Sequence, residues 1–90
     1  MIVVSYDIHN DKIRTKFSRF LKKYGRRIQY SVFEIKNSTR IISIITREID
    51  EKYSPAFTAD SILIIPISPA DSKVIRYGQP AMEEEEILFL

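Results

Sequence analysis

Ninety residues, 44% hydrophobic and 29% charged, suffice for one compact soluble domain and not for two. The absence of cysteine excludes disulfide staples, thiolate zinc sites and thiol nucleophiles, and a single histidine excludes any site that draws two imidazoles from one chain. The net charge of +2 hides an asymmetry: residues 1–47 carry eleven Lys or Arg against three acids, whereas residues 48–90 carry three against nine.

The first element is a strand, Ile2–Ile8, rich in β-branched residues and apolar enough to be central. Asn10 or Asp11 offers a cap to a helix beginning near Lys12, in which Ile13, Phe17, Phe20, Leu21 and Tyr24 repeat at the spacing of a buried stripe. Gly25 suits the end of that helix. The segment "RRIQYSVFEIK" is strand-forming throughout and reads either as one long strand or as two short ones reversing near Tyr30–Ser31. A second helix follows the capping groups of "NST": Ile41, Ile42, Ile45, Ile49 and Tyr53 form its stripe, and Pro55 stops it. "SILIIPI" (Ser61–Ile67) is a strand whose Pro66 belongs at an edge or bulge. "KVIRYG" and the terminal "ILFL" complete the chain as short strands.

If the middle segment is two strands, the order is the ferredoxin-like βαββαβ pattern with one or two extra short C-terminal strands, an α+β fold with both helices on one face of an antiparallel sheet. The other face would then carry apolar residues without a cover, and a two-fold dimer is the commonest cover. The domain is placed at residues 1–80, with residues 81–90 an acidic extension ending in a short apolar strand. The run Glu83–Glu86 reads as a solvated tail, a surface for a basic partner, or a steering element that pushes DNA toward the amino-terminal half.

Between Lys12 and Arg27 lie eight bases and no acid. Such a run is either a solvated helix face or a surface for an anionic partner, and phosphates attract it without any sequence readout. No apolar stretch is long enough for a bilayer span, and the chain is read as cytoplasmic with no membrane partner.

The opening "MIVVSYDIHNDK" ends a strand on a carboxylate, Asp7, beside His9, Asn10 and Asp11. The plain reading is a turn that caps the next helix; the chemical one is a metal site. Asn10 and Asp11 are most simply caps, and His9 reads as a solvent-facing loop residue.

"YDI" at the end of the first strand, the basic helix and then "YGRRIQYSVFEI" resemble the family of CRISPR-associated protein 2, with "SILIIPI" and the late "VIRYG" extending the resemblance over most of the chain. The resemblance implies a ferredoxin-like homodimer whose C-terminal strands cross to the partner's sheet. It also implies a place in CRISPR adaptation: bridging dimers of the integrase partner, CRISPR-associated protein 1, with duplex DNA lying across the assembly. Metal-dependent nuclease action on RNA, possible on single strands, or on DNA is implied as well.

Carried over by position, Asp7 is the metal-binding carboxylate, its two copies holding Mg²⁺ or Mn²⁺ at the dimer interface. Tyr6, Ser31 and Phe33 are its companions: Tyr6 supports Asp7, Ser31 hydrogen-bonds a phosphate or a metal-bound water, and Phe33 packs. Arg14, Lys16, Arg19, Arg26 and Arg27 hold the nucleic acid. A ferredoxin-like RNA-binding or regulatory domain without catalysis is the alternative, against which stand the lack of an aromatic-rich stacking motif and of a glycine-rich phosphate loop.

Overall fold

The computed structural model describes residues 1–68 together with 70, 75, 77 and 78. The chain runs β1 (Ile2–Asp7), α1 (Asp11–Lys22), β2 (Gly25–Gln29), β3 (Val32–Ile35), α2 (Thr39–Glu48) and β4 (Ser61–Pro66). The strands form one sheet in the order β2-β3-β1-β4, every neighbouring pair antiparallel. This is the ferredoxin-like arrangement, with β1 and β3 central and each helix crossing over one strand. Of "KVIRYG", expected as a strand, Ile75, Tyr77 and Gly78 are described and are not in a strand; the rest of that segment, "ILFL", the Glu83–Glu86 run and the extension at 81–90 lie outside the described residues.

Alternation explains how the sheet acquires a covered face. Ile2, Val4 and Tyr6 of β1 and Ile8 just beyond it, with Phe33 and Ile35 of β3, point to the side where Phe17, Phe20 and Leu21 of α1 and Ile45 of α2 close the core. Aromatic rings fill its centre: Phe17 meets Tyr6 edge-on at 5.2 Å between centroids and Tyr53 at 4.9 Å. On β4 it is Ile62 and Ile64 that reach this core, which leaves Leu63 and Ile65 on the opposite face.

Caps set the helix starts. The Asn10 side chain accepts the Ile13 N–H at 3.0 Å and opens α1; the Ser38 hydroxyl accepts the Ile41 N–H at 3.4 Å and opens α2. The isoleucine stripe of α2 continues past Glu48 through a wider turn, Ile49–Tyr53, and a short tight one, Ser54–Ala56, which holds Pro55. The wide turn delivers Tyr53 into the core.

The structure settles one open alternative and overturns one expectation. The ambiguous middle segment is a hairpin that reverses at Tyr30–Ser31. Gly25 does not stop α1: it is the first residue of β2, with no left-handed backbone, and a Cβ there would lie 2.0 Å from the Glu34 carbonyl oxygen. Its role is to let β2 lie close against β3.

Candidate nucleic-acid and metal interface

Asp7 ends β1 opposite Ser61 of β4 and shares by alternation the uncovered face with Val3 and Ser5. Its side chain is 73% exposed, so the carboxylate is open to solvent, cation or phosphate-bound water. Tyr6 and Phe33, placed with Asp7 by the sequence, are buried one above the other, ring centroids 6.3 Å apart, and hold β1 against β3 beneath it. The Tyr6 hydroxyl donates to the Tyr30 carbonyl at 3.5 Å, and the Tyr6 N–H donates to the Ser31 carbonyl at 3.0 Å, so the hairpin tip is pinned to the residue before Asp7. Ser31 is half-buried at that tip.

His9 is the solvent-facing loop residue its sequence context suggests, 63% exposed, but its ring is tethered. Both its backbone N–H and its Nδ1 lie 2.8 Å from the same oxygen of Asp60, the residue before β4. The Asp60 side chain is only 7% exposed. The two N–H groups of His9, the backbone one foremost, hold Asp60 below the usual carboxylate range. The bond its Nδ1 donates to Asp60, and after it the charge of Asp7, hold His9 above the usual imidazole range. The other ring nitrogen, Nε2, faces Asp7 at 3.9 Å. Asp60 went unnoticed in the sequence because it is separated from His9 by 51 positions, and a lone acid before a strand reads as a turn residue.

The basic run divides into cations that are engaged and cations that are not. Arg14 donates to the Ile8 carbonyl at 3.1 Å, pairs with Asp11, and lies 6.0 Å from the Tyr30 ring centroid, tying the first turn of α1 to the end of β1. The Asp11 bond foremost pushes its pKa up. Arg26 pairs with Glu34 across the β2–β3 ladder at 3.1 Å. The guanidinium of Arg27 lies 5.4 Å over the Phe33 ring. Lys12, Lys16 and Arg19 form one exposed stripe along α1 at helical spacing, lining a shallow groove with Thr15 and Asp11, and have no ion pair among the described residues. The structure thus brings Lys16 and Arg19 together and sets Arg26 and Arg27 apart on the hairpin.

The family model described as CRISPR associated protein Cas2 matches residues 1–74. A protein named CRISPR-associated endonuclease Cas2 2 from Thermus thermophilus is 30% identical over 89 residues, covering 98% of this chain and 96% of its own. One named CRISPR-associated endoribonuclease Cas2 2 from Methanospirillum hungatei is 54% identical over 35 residues, a match that covers 39% of each chain. Among solved structures, a hypothetical protein from Thermus thermophilus, TT1823, superposes with a TM-score of 0.74 at 30% identity, covering 90% of this chain and 93% of the other. No helix among the described residues is long and apolar enough to cross a membrane. With the split βαβ sheet, the strand-end aspartate and the basic first helix in place, the chain belongs to the Cas2 family of CRISPR-associated proteins.

Proposed function

We propose that this chain is a subunit of CRISPR adaptation that works as a homodimer, bridges dimers of the integrase CRISPR-associated protein 1, and holds duplex DNA on its basic amino-terminal half. Metal-dependent hydrolysis of a phosphodiester in RNA or DNA is centred on Asp7 at the dimer axis. The observation that carries the reading is the position of Asp7 on the uncovered sheet face, in the same row as Ser5 and Val3, with Leu63 and Ile65 beside it 59% and 43% exposed. A second copy laid against that face buries those side chains and turns each Asp7 toward its mate.

One protomer offers an incomplete ligand set, since no group of three His, Cys, Asp or Glu side chains among the described residues is placed to hold a metal ion. The exposed Asp7 carboxylate fits a hard divalent cation such as Mg²⁺ or Mn²⁺ when a mate and waters complete the shell. When bound, such an ion supplies a water of lowered pKa and polarises a phosphate oxygen. The chain does the rest. Lys12, Lys16 and Arg19 draw in the backbone, Arg14 fixes the geometry around Ile8, and Tyr6 and Phe33 keep the strand end rigid.

Asp7→Ala tests both roles. It is expected to abolish metal-dependent cleavage of RNA and DNA while leaving nucleic-acid binding and, in cells, spacer acquisition intact. Cleavage that survives the substitution contradicts the hydrolytic centre; acquisition that fails with it contradicts a bridging role independent of catalysis.

A further inference from the structure

The corner beside Asp7 holds an arrangement that the two-carboxylate reading does not use. His9 is the sole imidazole of the chain, and its ring is locked by a nearly buried carboxylate. An ionised Asp60 can only accept, so Nδ1 is the nitrogen that donates to it. In the neutral ring that leaves the lone pair on Nε2, 3.9 Å from an oxygen of Asp7. Carboxylate, imidazole and open nitrogen in series are the parts of a carboxylate–histidine–metal triad, in which the outer carboxylate fixes both tautomer and ring direction.

We propose that His9 is a metal ligand beside Asp7, that Asp60 is its positioning residue, and that the pair gives this site a preference for divalent transition cations over Mg²⁺. The separation of 3.9 Å exceeds a hydrogen bond yet lies within the reach of two ligands on one ion, each bonding at about 2.1 Å. Side-chain rotation of under about 1 Å brings them to the roughly 3 Å edge of an octahedral or tetrahedral shell. The Asp7 side chain, 73% exposed, supplies that movement, while the His9 ring stays on Asp60. Imidazole nitrogen favours Zn²⁺ and its neighbours, whereas Mg²⁺ keeps to oxygen, which is the source of the preference. In a dimer with Asp7 on the axis, the two copies together offer two carboxylates and two imidazoles.

The proposal rests on Asp7 being a cation ligand, and untagged protein separates the two claims. Because the chain has one histidine, its imidazole ¹⁵N resonances assign themselves. Zn²⁺ is expected to shift the Nε2 resonance, and Mg²⁺ to leave it in place. By calorimetry, Zn²⁺ affinity is expected to fall about tenfold or more in His9→Ala, and by a comparable factor in Asp7→Ala. Asp60→Asn is expected to weaken Zn²⁺ binding while shifting the His9 tautomer toward Nε2–H, a readout that loss of packing alone does not move. A still Nε2 resonance, with Zn²⁺ lost in Asp7→Ala but kept in His9→Ala, overturns His9 as a ligand and leaves the Asp7 reading standing. Zn²⁺ kept in Asp7→Ala overturns the shared site and the Asp7 reading with it. No Zn²⁺ binding by the unaltered protein at millimolar concentration overturns the proposal, and Mg²⁺ binding then decides the Asp7 reading alone.

Discussion

On the helix-covered face of the sheet Val4, Phe33 and Ile35 lose all contact with solvent, whereas on the other face Leu63 and Ile65, from a strand just as apolar, stay open to it. Within β4 the two faces carry the same residue types, Ile62 and Ile64 on one and Leu63 and Ile65 on the other, and what separates them is the presence of α1 and α2 on one side. Apolar character in a strand therefore states that a cover is needed without saying which molecule supplies it. On one face the chain supplies its own; on the other, a second copy is the proposed cover. The proposed chemistry sits on that second face and at its rim, where His9 lies between Asp7 and Asp60.

The contrast is tested hardest by substitutions of similar size on the two faces. Phe17→Ala, which empties the ring cluster joining Tyr6 and Tyr53, is expected to cost about 3–5 kcal/mol in chemical denaturation, a large part of the stability of so small a domain. Leu63→Ala should leave the fold of a single subunit nearly unchanged and weaken association instead. Equal losses of subunit stability at the two positions would erase the distinction. Gly25→Ala probes the hairpin, where the new Cβ must push β2 from the Glu34 carbonyl; a loss of about 1–3 kcal/mol is expected in the same measurement.

Smaller effects sort the cations. Lys16→Glu combined with Arg19→Glu is expected to weaken duplex binding about tenfold or more and to reduce the slope of log K against log salt by about two. Arg26→Gln, whose guanidinium already faces Glu34, should change both less. An unchanged salt slope in the α1 double variant would place the nucleic acid elsewhere.

The smallest effect concerns pH in metal-free buffer. The His9 pKa is raised, so its contribution to stability is full below the ordinary imidazole value and fades as pH climbs through the folded one. The Asp60 pKa is lowered, so its contribution is present above the ordinary carboxylate value and fades as pH falls. Asp7 and Arg14 also act on His9, in opposite directions. Thermal melts of Asp60→Asn should show a flatter pH dependence on both sides; curves parallel to the parent would deny the pairing any role in stability.

Much of this architecture was legible in the sequence because periodicity reports burial directly. The α1 stripe and the isoleucine stripe of α2 both point at the core that encloses them. The hairpin was legible only as an ambiguity, since strand-forming residues run through it and the reversal at Tyr30–Ser31 lacks a glycine or proline. Gly25 misled because a helix-stopping residue and a close-approach residue look alike until the neighbouring strand is placed. The basic run showed its charge but not its division, because Arg26 meets Glu34 only through strand pairing. His9 and Asp60 were beyond reach for the same reason: their contact is made by the sheet, not by spacing along the chain.

Sedimentation equilibrium at micromolar concentration tests the central claim, that two subunits pair across the uncovered face and bring their Asp7 side chains together. The account predicts twice the 10.6 kDa chain mass for the parent protein and a single folded chain for Leu63→Lys combined with Ile65→Lys. A parent protein that sediments as one chain, or a double variant that remains paired, would contradict it.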